Sequence, residues 1–114
     1  MIQRQYAATG RKMGMGKVIQ TQAVDDLFDA ILMLRNREEC YRFFEDVCTV
    51  NELMSISQRF EVARMLTCKR TYLEIAEKTG ASTATISRVN RSLSYGNDGY
   101  DLVLARLEGK EEAK

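Results

Sequence analysis

No proline occurs in the 114 residues, and the apolar side chains recur at intervals of three and four. A chain without strong breakers inside its periodic segments builds helices, so the expected fold class is all-α. Val24, Leu27, Phe28, Ile31 and Leu34 share one stripe, which predicts a helix from about 23 to 34. Asn36 with Glu39 three residues on has the spacing of a helix start, and Cys40, Phe43, Phe44 and Val47 give that helix its apolar face up to about Cys48. Thr49 and Glu52 repeat the spacing ahead of the longest segment, whose stripe is Leu53, Ile56, Phe60, Ala63 and Leu66. Gly96, Asn97 and Gly99 read as a turn, and Tyr100, Val103, Leu104 and Leu107 as a last short helix.

Composition narrows the function classes. With 45% apolar residues the chain suits one domain, and 17 basic against 16 acidic residues exclude a uniformly basic nucleic-acid coat but leave room for a local basic face. No apolar run reaches the roughly 18–20 residues of a membrane span. The N-terminus lacks a secretory apolar stretch, so a cytoplasmic chain with no membrane partner is expected. There is no histidine, which removes imidazole bases and histidine-ligated metal sites. Cys40, Cys48 and Cys68 form no C-x-x-C pair and suit small reduced residues. Gly14-Met15-Gly16-Lys17 fails as a phosphate loop because Arg11 and Val18 stand where a glycine and a hydroxyl are needed. With no paired carboxylates in a credible pocket either, no catalytic residues and no metal are expected. The organisation is a flexible basic arm over 1–20 (Arg4, Arg11, Lys12 and Lys17 without an acid), a helical domain over 21–109, and a charged tail over 110–114. Six short helices, each with a wide apolar stripe, exceed what so small an interior can cover. Some faces, chiefly those of the first, second and last helices, are expected to meet a second copy.

Residues 71–93 carry the functional signal. Thr71 and Glu74 have capping-box spacing. Ala76 is small where a second helix would cross, Gly80 suits a turn at positive φ, and Ser82 can cap the next helix. Ile75, Ile86, Val89 and Leu93 supply inward contacts. These offsets are those of a helix-turn-helix. On the second helix Thr83, Ala84, Ser87, Arg88 and Arg91 point outward, a face of small, hydroxyl-bearing and basic residues with no acid. That is the chemistry of a major-groove reader, with Tyr72 and Ser82 as further DNA contacts. Seven basic residues against three acids over 58–95 agree with a double-stranded DNA partner.

The run Thr83-Ala84-Thr85-Ile86-Ser87-Arg88, with Ser92-Leu93 after it, resembles the recognition helix of the Trp repressor family. Gly80 to Tyr100, Glu38 to Phe44 and Ser57 to Ala63 are similar to its YerC/YecD-type branch. The resemblance covers about 23–108. It implies an intertwined all-α homodimer with two helix-turn-helix reading heads, acting as a transcriptional regulator, a repressor, on a two-fold operator. It also implies a small-molecule site beside the head. In the namesake repressors two arginines sandwich an indole and a serine helps hold the amino group. Arg88 and Ser92 match, and so does Arg59, although the turn over 67–70 is one residue shorter than the family's. Thr85 shares an edge with Arg88 and Ser92, which makes four candidate ligand contacts. The family has glycine after the second arginine, whereas Val89 stands there in this chain. An isopropyl group in the expected slot argues against tryptophan as corepressor and leaves a different ligand, of unknown identity, or none. The alternative function is a helical dimeric adaptor that binds protein rather than DNA.

Overall fold

The structure is a computed structural model that describes residues 20–109. The expected basic arm, apart from Gln20, and the tail over 110–114 lie outside the described residues. Six helices are present among those described: α1 (Gln22–Ile31), α2 (Arg37–Val47), α3 (Val50–Thr67), α4 (Tyr72–Thr79), α5 (Thr83–Tyr95) and α6 (Gly99–Leu107). They fall into two compact units, α1–α2 and α3–α6.

In the first unit α1 is capped by Thr21, whose Oγ1 accepts from the Val24 amide at 3.1 Å. The helix ends at Ile31, three residues short of the expected Leu34. The reason is the start of α2. Asn36 is fully extended (φ −156°, ψ 174°) so that its side chain can accept from the Glu39 amide at 2.9 Å, and the Glu39 carboxylate reaches back to the Arg35 amide at 2.9 Å. The Arg35 amide, which a continuing helix would give to the Ile31 carbonyl, is thus taken by α2, and the Met33 and Leu34 amides close α1 with tighter bonds to Ala30 and Ile31. Phe43 and Phe44 pack edge to face within α2 at 5.4 Å between ring centroids. Neither α1 nor α2 holds a buried residue.

The second unit has a closed core. Val62 and Ala63 of α3, Ile75 of α4, Ala81 of the turn, and Ile86 and Val89 of α5 form one buried cluster. Met65, Leu66, Ala76, Leu93 and Tyr100 pack against it. Leu104 anchors α6. The stripe expected on α3 is corrected in one respect. Val62, outside that stripe, is fully buried, while Ile56 within it stays exposed. Apolar residues lie all round α3, so the periodicity could not say which side faces α4 and α5.

Two junctions depart from simple turn chemistry. α3 closes with the Arg70 amide donating to the Met65 carbonyl at 3.1 Å and the Lys69 amide to that of Leu66 at 3.0 Å. This pairing requires a left-handed residue, and Lys69 supplies it at φ 61°, where glycine is usual. Gly99, expected in the last turn, is instead the first residue of α6. Asp98, left-handed at φ 64°, makes the reversal.

Candidate nucleic-acid interface

The site is built from α4, α5 and the turn between them. Thr71 and Glu74 form a complete capping box: the Thr71 hydroxyl accepts from the Glu74 amide at 3.1 Å, and the Glu74 carboxylate accepts from the Thr71 amide at 2.9 Å. Tyr72, the first residue of α4, is 38% exposed. Gly80 ends α4 in the left-handed region at φ 77°, its amide donating to the Ala76 carbonyl at 2.9 Å. Thr79 holds the turn from inside: its hydroxyl donates to the Ile75 carbonyl at 2.8 Å and accepts from the Ala81 amide at 3.1 Å. From α3, the Gln58 side-chain amide donates to the Thr79 carbonyl at 3.1 Å.

Ser82 caps α5. Its Oγ accepts from the Thr85 amide and donates to the Thr85 Oγ1, both at 3.1 Å. Because Ser82 and Thr85 satisfy each other, the Ser82 hydroxyl is committed to the helix start. The N–H groups of Thr83 and Ala84, in the first turn, have no intrahelical acceptor and sit at the positive end of the helix dipole, a disposition suited to a phosphate.

The inward and outward faces of α5 separate cleanly. Ile86 and Val89 are buried, whereas Thr83, Ala84, Ser87, Arg88 and Arg91 are all exposed. These five lie at i, i+1, i+4, i+5 and i+8, one continuous face, and α5 contains no aspartate or glutamate. Of the nearby acids, Glu74 is engaged in its capping box and Glu61 in an ion pair with Arg64 at 2.9 Å on α3, while Glu77 is exposed on α4. The Glu61 hydrogen bond and charge push the Arg64 guanidinium above its ordinary value, so that side chain stays cationic. Lys69 and Arg70 are exposed immediately before α4. Basic character therefore brackets the acid-free face.

The four candidate ligand residues are distributed differently. Arg88 and Ser92 are exposed on α5, Arg59 is half-buried on α3, and Thr85 is half-buried with its hydroxyl bonded to Ser82. Val89 is 1% exposed and belongs to the core cluster. A shallow groove in this unit lies elsewhere, between Asn51, Met54, Ser55, Gln58 and Glu61 of α3 and Thr79. The Gln58–Thr79 bond escaped sequence reasoning, since two polar residues 21 positions apart give no local signal of their pairing.

Comparison with known proteins gives a consistent answer. The family model described as Trp repressor protein matches residues 22–108. The uncharacterized protein YerC of Bacillus subtilis (strain 168) is 55% identical over 93 residues, which is 82% of this chain and 89% of YerC. Two solved structures superpose well. A TrpR-like protein from Eubacterium eligens has 71% identity and a TM-score of 0.77, covering 79% of this chain and 93% of its own. A Staphylococcus aureus protein provisionally described as a Trp repressor has 58% identity and a TM-score of 0.76, covering 78% and 89%.

Proposed function

The chain belongs to the Trp repressor family, and from that premise we propose that it is a sequence-specific DNA-binding transcriptional regulator, a repressor, that works as a homodimer. The family is one of non-enzymatic DNA-binding regulators, and no group of His, Cys, Asp or Glu among the described residues could hold a metal ion. No helix among them is long and apolar enough to cross a membrane. The observation that carries the reading is the exposed, acid-free face of Thr83, Ala84, Ser87, Arg88 and Arg91 on a helix whose opposite face buries Ile86 and Val89.

In this reading α4 and α5 are the helix-turn-helix at 71–93, within a helical domain over 21–109. Small Ala84 and Ser87 let the α5 backbone approach the base edges, and the guanidinium of Arg88 forks onto guanine O6 and N7. Tyr72, Arg91 and the free amides of the α5 start position the helix on phosphates, and Ser82 contributes by capping that start. The second copy is supported by apolar surface that one chain leaves uncovered: Phe28, Leu32 and Met33 in one unit, and Val50, Met54, Leu102 and Leu107 in the other, are all exposed. A two-fold dimer would present its heads about 34 Å apart, one helical turn of DNA.

Val89 supports a head that needs no tryptophan. Its side chain is sealed in the core beside Ile86, at the position where the family resemblance expects a glycine beside the ligand. If a small molecule does bind through Arg59, Thr85, Arg88 and Ser92, its chemistry differs from that of tryptophan.

Mobility-shift titration against duplexes enriched from a random library tests the proposal. Binding is expected to weaken by roughly a thousandfold between about 50 and 200 mM salt. Arg88→Ala should cost about 1–3 kcal/mol of affinity at fixed salt. An unchanged affinity removes Arg88 from the contacts. No enrichment and no retardation at low salt would favour the dimeric adaptor instead.

A further inference from the structure

We propose that Gln58 is a positioning residue for DNA binding: its side-chain hydrogen bond to the Thr79 carbonyl sets the angle at which the α4–α5 pair is held on α3. The inference rests on the DNA-binding reading and adds the device that holds the reading geometry without a bound molecule.

The buried cluster joining α3, α4 and α5 is entirely aliphatic. Aliphatic contacts are strong but non-directional, and they tolerate small rolls of one helix pair over another. A hydrogen bond has a narrow range of distance and angle. A side-chain hydrogen bond between α3 and the α4–α5 pair supplies that direction: Gln58 Nε2 donates to the Thr79 carbonyl at 3.1 Å, partly shielded from solvent.

Its acceptor is well chosen for leverage. Thr79 is the last residue of α4, so its carbonyl has no partner in the helix ladder. The same residue ties the turn to α4 through the Ile75 carbonyl and to the approach of α5 through the Ala81 amide. Gly80 beside it is the left-handed pivot. A tether at Thr79 therefore acts on the joint from which α5 projects. Small angular errors there displace the exposed Arg88 and Arg91 further along the helix.

A two-headed protein is sensitive to that angle in a specific way. One head on one half-site can adjust its docking freely. Two heads joined through a dimer must match a fixed spacing, so a loosened angle penalises paired half-sites and spares single ones.

The test uses the full chain and duplexes enriched by the wild-type protein, each compared with a shortened duplex carrying one half-site. Gln58→Glu is nearly isosteric but replaces the donor by a carboxylate facing the Thr79 carbonyl, and Gln58→Leu removes the bond without adding charge. Both variants should bind the paired site roughly three- to tenfold more weakly, the fold-change of one lost hydrogen bond. Both should bind the single half-site within about twofold of wild type, and both should tolerate altered half-site spacing better. Amide exchange at Gly80 and Ala81 should quicken while that of Ile86 and Val89 stays slow.

Equal losses on single and paired sites would mean a general structural role and would overturn the proposal. So would wild-type affinity on the paired site, or unchanged exchange at the turn. Failure of the wild-type protein to enrich any duplex would instead refute the DNA-binding reading, and the exchange measurement would still judge the tether.

Discussion

Replacing Val89 by alanine probes the joint on which the functional reading depends. The side chain is 1% exposed and lies among Val62, Ala63, Ile75, Ala81 and Ile86, which belong to three helices and a turn. Deleting two methyl groups costs about 0.8 kcal/mol each in lost burial. The vacated volume adds about another kilocalorie, because neighbours anchored on separate helices cannot all collapse into it. The expected loss is about 2–3 kcal/mol, a fall in melting temperature on the order of 10 °C for a domain of this size. Thermal unfolding followed by circular dichroism should be run at one fixed protein concentration, since a dimer's midpoint depends on it. A shift below about 2 °C would refute the claim that Val89 is a sealed core residue. The same melt with free tryptophan tests the slot: a site filled by valine predicts no change in the wild-type midpoint. Stabilisation by about 2–3 kcal/mol at a hundredfold excess over its dissociation constant would show that the slot is open after all.

Two further outcomes follow from the backbone. Lys69 occupies a left-handed position that costs a residue with a Cβ about 1–2 kcal/mol, so Lys69→Gly should stabilise the chain by about 0.5–1 kcal/mol in urea titration once glycine's greater freedom in the unfolded state is offset. A Lys69→Gly protein less stable than wild type would mean that the side chain makes a compensating contact. Gly96 is the opposite case: a Cβ there would run into the backbone carbonyl of Ser92, the acceptor for Gly96's own amide at 2.9 Å. Gly96→Ala should therefore destabilise by about 1–3 kcal/mol and loosen the packing of Tyr100 and Leu104, measured by amide exchange in α6.

Much of this protein was determined locally and could be read from its residues. Helix-period apolar spacing without proline dictated an all-helical chain, because 3.6-residue periodicity is a property of the backbone alone. Thr71 with Glu74, Ser82, Asn36 and Gly80 marked helix starts and an end, since caps are satisfied within three or four residues. The outward face of α5 was legible for the same reason: once Ile86 and Val89 point in, Ser87, Arg88 and Arg91 must point out. One boundary was a contest between two local signals: α1 stops at Ile31 rather than Leu34 because the cap of α2 takes the Arg35 amide. Tertiary structure decided the rest. Val62 rather than Ile56 is buried because α3 is apolar on every side and only the packing of α4 and α5 selects one. Lys69 and Asp98 adopt positive φ because closing α3 and starting α6 require it; aspartate tolerates that region, whereas lysine does not favour it. Gln58 meets Thr79 across 21 residues, a pairing that exists only once two helices are brought together.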